Sequence, residues 1–458
     1  MTGPPASGFR SSGSTRSVRS IALGILIRVE REGAHAAPLL DARGAGLAPR
    51  DRDLLRALVK KTLRGALRLD HVLARHLDRP TAALDVPVRA ALRLGASQLL
   101  LLDRVPPHAA VAETVAAAKE IAPRAAGLVN AVLRRVAARE ERPGRVVLPS
   151  GADPVVRLAL ESAHPEWLVR RWVALFGEEG ARRALAADDE DSPLDLLADP
   201  KLGGIETLQA SLAASGIASV RSTWAPLALT ATSGEPARLP RVASGEIAVV
   251  DAAAQGLVEA VPASDVVVDL AAAPGGKART LLARGIARRV IALERTPSRA
   301  RRLAANLRAG GRRGEALVVL ADAARPPLPR GRFNSVLLDA PCSGTGTLRK
   351  NPEIRLRLRE ADLARFAAAQ HALLAAGLDL LAPGGTLVYV TCSLEPEENE
   401  GVADKALSER PEFARVAPAS GTLPPPLARC ASPSGLVRVP PGPSNDGFSL
   451  ITIRRRSQ

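Results

Sequence analysis

Residues 266–277 read Val-Val-Val-Asp-Leu-Ala-Ala-Ala-Pro-Gly-Gly-Lys and decide the fold class of the chain. The apolar, β-branched run around Asp269 predicts a buried parallel strand, because strands covered on both faces are continuously hydrophobic. The Pro-Gly-Gly that follows ends the strand, and a helical pattern resumes near Lys277. A strand, a tight glycine turn and a helix open a doubly wound α/β domain, whose ligands lie at the carboxyl ends of its strands. This turn is therefore a candidate cofactor site.

Composition places the chain among globular proteins. Its 458 residues suffice for two or three domains, each with its own core, and 46% of them are hydrophobic. There is no run of 18 apolar residues, and the start, Met-Thr-Gly-Pro-Pro, lacks the hydrophobic core of a signal peptide. We expect a cytoplasmic protein that does not contact a membrane.

The cysteines suggest chemistry rather than structural cross-links. There are three, Cys342, Cys392 and Cys430, with no CxxC pair and no Cys/His cluster. We therefore expect neither a disulfide framework nor a metal site. A cysteine in a distinctive local sequence is then a candidate nucleophile. Cys430 lies in a Pro-rich segment outside every motif, and we interpret it as incidental.

The net charge of +16 is concentrated near the N-terminus. Residues 1–145 contain 25 lysines and arginines against 13 aspartates and glutamates. This distribution favours an N-terminal region that faces nucleic acid, although a compositional bias toward Ala and Arg is the alternative explanation. Because aromatic residues make up only 2% of the chain, arginine contacts to phosphate rather than base stacking would supply the affinity.

The hydrophobic periodicity divides the chain into segments. Residues 1–15, rich in Gly, Ser and Pro, are predicted to be disordered. Residues 16–140 predict an all-α domain, with helices near 51–66, 68–77, 85–102, 108–121 and 125–138. Residues 141–165 are predicted to be a linker rich in Pro, Gly and charge. Residues 166–244 are predicted to form a small α/β subdomain, with a helix from Ile205 to Ala214, and residues 245–458 form the doubly wound domain.

Three acids and two cysteines follow predicted strands of the last domain. They are Glu294, Asp322, Asp339, Cys342 and Cys392. Because the carboxyl ends of parallel strands meet at one edge of the sheet, we expect these side chains to share a site. Glu294 lies 18 residues beyond the glycine turn, an interval suited to binding ribose hydroxyls, and Asp322 can accept a hydrogen bond from an adenine amino group. We hypothesise that the turn holds S-adenosylmethionine.

A thiol beside this methyl donor indicates methylation of a pyrimidine. Carbon 5 of a pyrimidine is a poor nucleophile, but a thiolate that adds to carbon 6 creates an enamine-like adduct whose carbon 5 can take the methyl group. Asp339 is placed to hold the edge of a cytosine and steady charge on its ring. A base inside a helix is out of reach, so the target must be single-stranded or flipped out.

Two motifs carry a resemblance to a known family. One resemblance is to the NusB-like domain of the Sun (RsmB) ribosomal RNA methyltransferases. It is carried by residues 104–115, Arg-Val-Pro-Pro-His-Ala-Ala-Val-Ala-Glu-Thr-Val, and by residues 127–134, Gly-Leu-Val-Asn-Ala-Val-Leu-Arg. The pairing of Pro341-Cys342 with Thr391-Cys392-Ser393 resembles their 5-methylcytosine catalytic domain. The resemblance implies an all-α NusB-like RNA-binding domain, a small RNA-recognition-like subdomain and a Rossmann-like methyltransferase domain.

The resemblance also implies roles for individual residues. Cys392 is the implied nucleophile, Cys342 assists release of the methylated product, and Asp339 serves catalysis as well as cofactor binding. The implied partners are S-adenosylmethionine and small-subunit (16S) ribosomal RNA, with the protein a monomer that needs no metal. The implied cofactor-binding residues are Ala272, Ala273, Pro274, Gly275, Gly276, Lys277, Glu294, Arg299, Asp322 and Asp339.

The chain departs from the family at several positions. Leu197 and Asp199 stand where the family usually has Arg and Asn, so RNA contacts at these two positions are not part of the prediction. Val250 replaces a common Gln, and Ala271 and Ala278 replace a Cys and a Thr in the turn. Neither of the two departures in the turn affects a residue that the chemistry described above needs.

Two other functions remain open from the sequence. The chain could be a NusB-like RNA-binding or transcription-related module whose methyltransferase half is inactive, although the complete set of acids and cysteines argues against this. It could also methylate an amino group of adenine or of a protein. Such enzymes need no thiol nucleophile, so two cysteines at strand ends count against that function.

Overall fold

The computed structural model describes residues 17–138 and 153–457. Two compact units make up the chain: the first runs to Val169 and includes Asn351–Arg357, and the second comprises Arg170–Lys350 and Leu358–Gln458. The predicted disorder of residues 1–15 lies outside the described residues. Within the described parts, no helix is both long and apolar enough to cross a membrane.

The first unit is a helical bundle. Its core is formed by apolar side chains that recur every three to four residues, such as Ala22, Ile25 and Val29. Gly95 and Leu133 mark a close helix approach, because a Cβ at Gly95 would lie 2.2 Å from Leu133 Cδ1. The helices are α1 (Val18–Glu32), α2 (Ala36–Gly44), α3 (Pro49–Ala74), α4 (Val86–Leu100), α5 (Pro107–Ile121), α6 (Ala126–Ala138), α7 (Pro154–Ser162) and, later in the chain, α14 (Ile354–Arg357).

Two predictions about this unit are wrong in detail. The helices predicted at 51–66 and 68–77 are one continuous helix, α3, because the buried face runs on without a break through Leu69 and Leu73 and no proline follows Pro49 within it. The predicted linker at 141–165 contains helix α7, which begins where the Asp153 side chain accepts a hydrogen bond from the Val155 N–H. Residues 141–152 of that linker lie outside the described residues.

The second unit begins with a small α/β layer. Three antiparallel strands in the order β1-β3-β2 pack against α9, and Leu196, Leu208 and Leu229 are in their shared core. The predicted helix from Ile205 to Ala214 is confirmed as α9. The elements are α8 (Glu166–Ala187), β1 (Leu194–Leu197), α9 (Gly204–Ala214), β2 (Ser219–Arg221), β3 (Ala228–Ala231), α10 (Pro240–Ala243) and α11 (Ala252–Leu257).

An eight-stranded sheet forms the rest of the second unit. Its order is β10-β11-β8-β7-β4-β5-β6, with β9 also paired to β11. Strands β4 to β8 are parallel, and the three C-terminal strands are antiparallel. The elements are β4 (Ser264–Asp269), α12 (Gly276–Ala283), β5 (Ala287–Glu294), α13 (Pro297–Ala309), β6 (Ala316–Leu320), β7 (Phe333–Asp339), α15 (Asp362–Leu380), β8 (Leu381–Thr391), α16 (Glu400–Glu409), β9 (Phe413–Val416), α17 (Pro425–Ala428), β10 (Leu436–Val439) and β11 (Phe448–Arg455).

Both faces of the sheet are covered, which confirms the predicted fold class. Val267 and Val268 on β4 point into two different cores, the first with α12 and α13 and the second with α15 and α16. The chain passes from β4 to β5 and β6 on one side and to β7 and β8 on the other, so β4 borders a topological switch point. After β7 the chain reaches the long helix α15 only at Asp362.

Candidate active site

A cavity of about 460 Å³ lies at the carboxyl ends of the parallel strands. Seven of the predicted site residues line it, together with part of α15. Those seven are Ala273 after β4, Glu294 and Arg299 after β5, Asp322 after β6, Asp339 and Cys342 after β7, and Cys392 after β8. The other five, Ala272, Pro274, Gly275, Gly276 and Lys277, form the adjoining turn and the start of α12 without lining the cavity.

The glycine turn is held by helix α13. Gly275 adopts φ 109°, which favours glycine, and a Cβ there would lie 2.9 Å from Leu303 Cδ1 of α13. From the same helix, Asn306 Nδ2 donates a hydrogen bond of 2.8 Å to the Pro274 carbonyl. The backbone of the turn is therefore fixed next to the cavity before any ligand binds.

Two acids face the cavity from neighbouring strands. Glu294 is 6% exposed, and its Oε1 accepts a 2.8 Å hydrogen bond from the Thr296 N–H. Arg299 Nε lies 3.4 Å from Glu294 Oε2 and its Nη2 donates to the Ala273 carbonyl, so the guanidinium joins the acid to the turn. Asp322 Oδ1 accepts a hydrogen bond from a backbone N–H two residues later.

A lysine and two aspartates lie beside the cysteines. Lys277 Nζ is 2.7 Å from Asp339 Oδ2 and 5.7 Å from the centre of the Phe448 ring. Burial, and after it the charge of Asp339, raises the pKa of Asp269 to about 7. Asp269 was not among the predicted site residues. Its signal was present in the sequence, because it ends an apolar strand in the same way as Glu294 and Asp339 do.

The two predicted catalytic cysteines are in contact. Cys342 Sγ and Cys392 Sγ are 3.2 Å apart. A hydrogen bond to Cys392, followed by burial, raises the pKa of the Cys342 thiol well above its ordinary value. Cys342 therefore keeps its proton and can donate it in a hydrogen bond to the neighbouring sulfur. Cys430 does not line this cavity.

The loops that carry the cysteines pack backbone against backbone. The Gly346 N–H donates 2.9 Å to the Cys392 carbonyl, and the Gly447 N–H donates 2.6 Å to the Gly346 carbonyl. A Cβ at Gly346 would lie 2.2 Å from the Gly447 oxygen. Both glycines are therefore required by close approach rather than by a positive φ.

Leu197 and Asp199, two of the positions that depart from the family pattern, are buried. Leu197 is fully buried in β1, and Asp199 is 1% exposed. Asp199 Oδ2 accepts a 3.0 Å hydrogen bond from Arg312 Nε, and its other oxygen is bonded to Arg312 Nη2. Asp199 is therefore part of a structural ion pair, and neither of the two side chains faces solvent.

Comparison with known protein families finds three matches along the chain. Residues 258–448 match the family described as 16S rRNA methyltransferase RsmB/F. Residues 16–138 match the NusB family, and residues 164–237 match the ferredoxin-like domain of RsmF/B-like methyltransferases.

Individual relatives match over nearly their whole length. Ribosomal RNA small subunit methyltransferase B of Sodalis glossinidius is 33% identical over 447 residues, covering 96% of this chain and 98% of that protein. The probable ribosomal RNA small subunit methyltransferase B of Bacillus subtilis is 30% identical over 453 residues, covering 96% and 99%. The crystal structure of PH0851 superposes with a TM-score of 0.79 at 23% identity, covering 96% of this chain and all of that one, and thus shares its fold.

Proposed function

The chain belongs to the RsmB/F family of 16S rRNA methyltransferases, and we propose that it transfers a methyl group to carbon 5 of a cytosine in small-subunit ribosomal RNA. The observation that carries this proposal is the 3.2 Å contact between Cys342 and Cys392 in a cavity that also holds Asp339. A pair of thiols is suited to covalent activation of a pyrimidine, and methylation of an amino group does not need it.

The cavity fits S-adenosylmethionine, the methyl donor that a methyltransferase of this kind uses. Its volume of about 460 Å³ lies in the range of small-molecule sites. In our proposal Glu294 accepts from the ribose hydroxyls and Asp322 from the adenine amino group. When bound, S-adenosylmethionine supplies an electrophilic methyl group. The proposed binding set is completed by the turn and its neighbours, namely Ala272, Ala273, Pro274, Gly275, Gly276, Lys277, Arg299 and Asp339.

The residues of the chain then prepare the base. The Cys392 thiolate adds to carbon 6 of the cytosine, a C–S bond forms, and carbon 5 becomes nucleophilic. Asp339, itself held by Lys277 at 2.7 Å, hydrogen-bonds the edge of the base and steadies the charge that develops on the ring. After methylation the carbon 5 proton leaves to a base, the C–S bond breaks, and Cys392 is regenerated.

We assign Cys342 to the second half of this cycle. Before the reaction its raised pKa keeps it a thiol, 3.2 Å from Cys392 Sγ and able to donate a hydrogen bond to that sulfur. Formation of the adduct changes the partner whose hydrogen bond is the largest cause of the raised pKa. Cys342 can then pass its proton to solvent and, as a thiolate, accept the carbon 5 proton while the C–S bond of Cys392 breaks and the product leaves.

The helical domain is the proposed RNA-binding element. Its arginine-rich composition, with 25 basic against 13 acidic residues in 1–145, suits contacts to phosphate. Such contacts position an RNA without reading its sequence. The target cytosine would be single-stranded or flipped into the cavity, because carbon 6 is otherwise shielded by stacking.

The product of the reaction tests the proposed function. Purified protein incubated with S-adenosylmethionine and unmethylated 16S rRNA is expected to protect one cytosine from bisulfite conversion. The same position should lose its protection in rRNA from cells that lack the gene. A methyl group found on an adenine amino nitrogen, or no methylated nucleotide at all, would contradict the proposal.

Binding of the methyl donor separates an active enzyme from an inactive module. Glu294→Ala is expected to weaken S-adenosylmethionine binding about 10- to 100-fold, because hydrogen bonds to a charged group contribute about 1.5–3 kcal/mol. Isothermal titration calorimetry measures the change. The matched control is Asp265→Ala, which removes an exposed acid at the opposite end of β4 and should bind like wild type. An inactive module would have no affinity to lose.

A further inference from the structure

A single buried carboxylate joins the loops that carry the two cysteines. Each cysteine is followed by a serine, Ser343 or Ser393, and both hydroxyls donate to Oε2 of Glu398. The Ser343 N–H also donates 2.8 Å to Glu398 Oε1. The two loops follow different strands, β7 and β8, and lie 50 residues apart in the chain. Both loops are therefore hydrogen-bonded to the same side chain, Glu398.

The surroundings of Glu398 make it a rigid connector. Gln370 Nε2 donates 2.9 Å to Glu398 Oε1 and 3.0 Å to the Pro341 carbonyl, next to Cys342. Glu398 is fully buried, as are Ser393 and Gln370. A buried carboxylate is stable only when hydrogen bonds replace its hydration, and here four donors do so. Removing one donor or the charge therefore disturbs both loops.

The main chain at Glu398 is fixed as well. The buried Tyr389 hydroxyl donates to the Glu398 carbonyl. The next residue, Asn399, accepts 2.7 Å from Thr391 Oγ1 and donates 3.1 Å to the Ser393 carbonyl. Asn399 is thus bonded to the residues on both sides of Cys392, which fixes the loop after that cysteine. The Glu398 carboxylate connects this loop to the loop that carries Cys342.

We propose that Glu398 is a positioning residue that holds Cys342 within reach of Cys392, so that release of the methylated RNA depends on it. This inference rests on the proposed function, because it assigns Cys342 to release. Of the two sulfurs, the attack on carbon 6 needs only that of Cys392, whereas release needs both in register. Loss of the carboxylate should therefore slow release more than attack.

The test separates these two steps in Glu398→Gln. We expect multiple-turnover methylation of 16S rRNA to fall about 100-fold, the size of effect that a displacement of about 1 Å can have. In the same samples an RNA–protein adduct should accumulate on denaturing gels. Glu397→Gln, which changes an adjacent and partly exposed acid, should turn over like wild type without an adduct.

The remaining outcomes decide against the proposal. Wild-type turnover in Glu398→Gln overturns it. So does a protein that binds S-adenosylmethionine normally but loses turnover and adduct together, since that pattern indicates a merely structural role. If Glu398→Gln does not fold, Ser343→Ala decides by the same criteria, because it removes the hydroxyl bond from the Cys342 loop to Glu398 and keeps the bond from Ser393. If Cys342→Ala traps no adduct and wild type makes no 5-methylcytosine, the proposed function has failed instead.

Discussion

Replacing Cys392 by alanine is expected to abolish methyl transfer to rRNA. Without the sulfur, carbon 6 has no nucleophile and carbon 5 stays unreactive, so we expect a loss of at least about 10⁴-fold, the scale found when an essential nucleophile is removed. The measurement is transfer of labelled methyl from S-adenosylmethionine to 16S rRNA. S-adenosylmethionine binding should persist, because Cys392 is not among the residues proposed to hold it.

The neighbouring cysteine should give the opposite result for the covalent adduct. In Cys342→Ala the attack on carbon 6 remains possible, but release loses its thiol. An RNA–protein adduct that survives denaturing electrophoresis should therefore accumulate, and the double variant Cys342→Ala/Cys392→Ala should lose it again. Because the two sulfurs are only 3.2 Å apart, such different phenotypes would reflect different roles rather than different locations.

Cys430→Ala is the matched control for both variants. Cys430 does not line the cavity, and it packs at the edge of the core under the sheet. The Cys430→Ala variant should methylate rRNA at the wild-type rate and form no stable adduct. Full activity in Cys392→Ala would sink the assignment of the nucleophile, and an adduct in the double variant would point to a different attacking group.

Much of the cavity could be predicted from the sequence because parallel strands have a simple rule. Whatever follows each strand reaches the same edge of the sheet, so an acid or cysteine after an apolar run can be placed without knowing the strand order. Glu294, Asp322, Asp339, Cys342 and Cys392 follow strands in this way, and all five line one cavity. Their separate roles still depend on the predictions above.

Other features could not be predicted because they depend on pairings distant in sequence. Glu398 belongs to an acidic run that looks like a solvated segment, and its burial follows only from the serines that converge on it. The segment Asn351–Arg357 belongs to the first unit although the chain on either side of it belongs to the second. Local periodicity carries no information about either arrangement.

The burial of Asp199 could not be predicted from the local sequence either. Its environment leads to the largest expected effect on stability. Arg312→Ala should lower the free energy of unfolding of the second unit by about 3–5 kcal/mol, because it leaves a buried carboxylate without its counter-ion. The side chains of Asp199 and Arg312 are 0% and 4% exposed. The loss is measurable as a reduced denaturation midpoint. Arg313→Ala, one residue later and exposed, is the control and should change stability by at most about 0.5 kcal/mol.

The ion pair can be separated from simple packing by removing both charges. A buried pair replaced by neutral side chains is often no less stable, because the cost of desolvating two ions disappears with them. Asp199→Asn combined with Arg312→Met should therefore recover much of the stability that Arg312→Ala loses, and the asparagine can still accept the 3.0 Å hydrogen bond from the Lys201 N–H. If the double variant is as unstable as Arg312→Ala, the arginine acts through its bond to Glu315 rather than by neutralising Asp199.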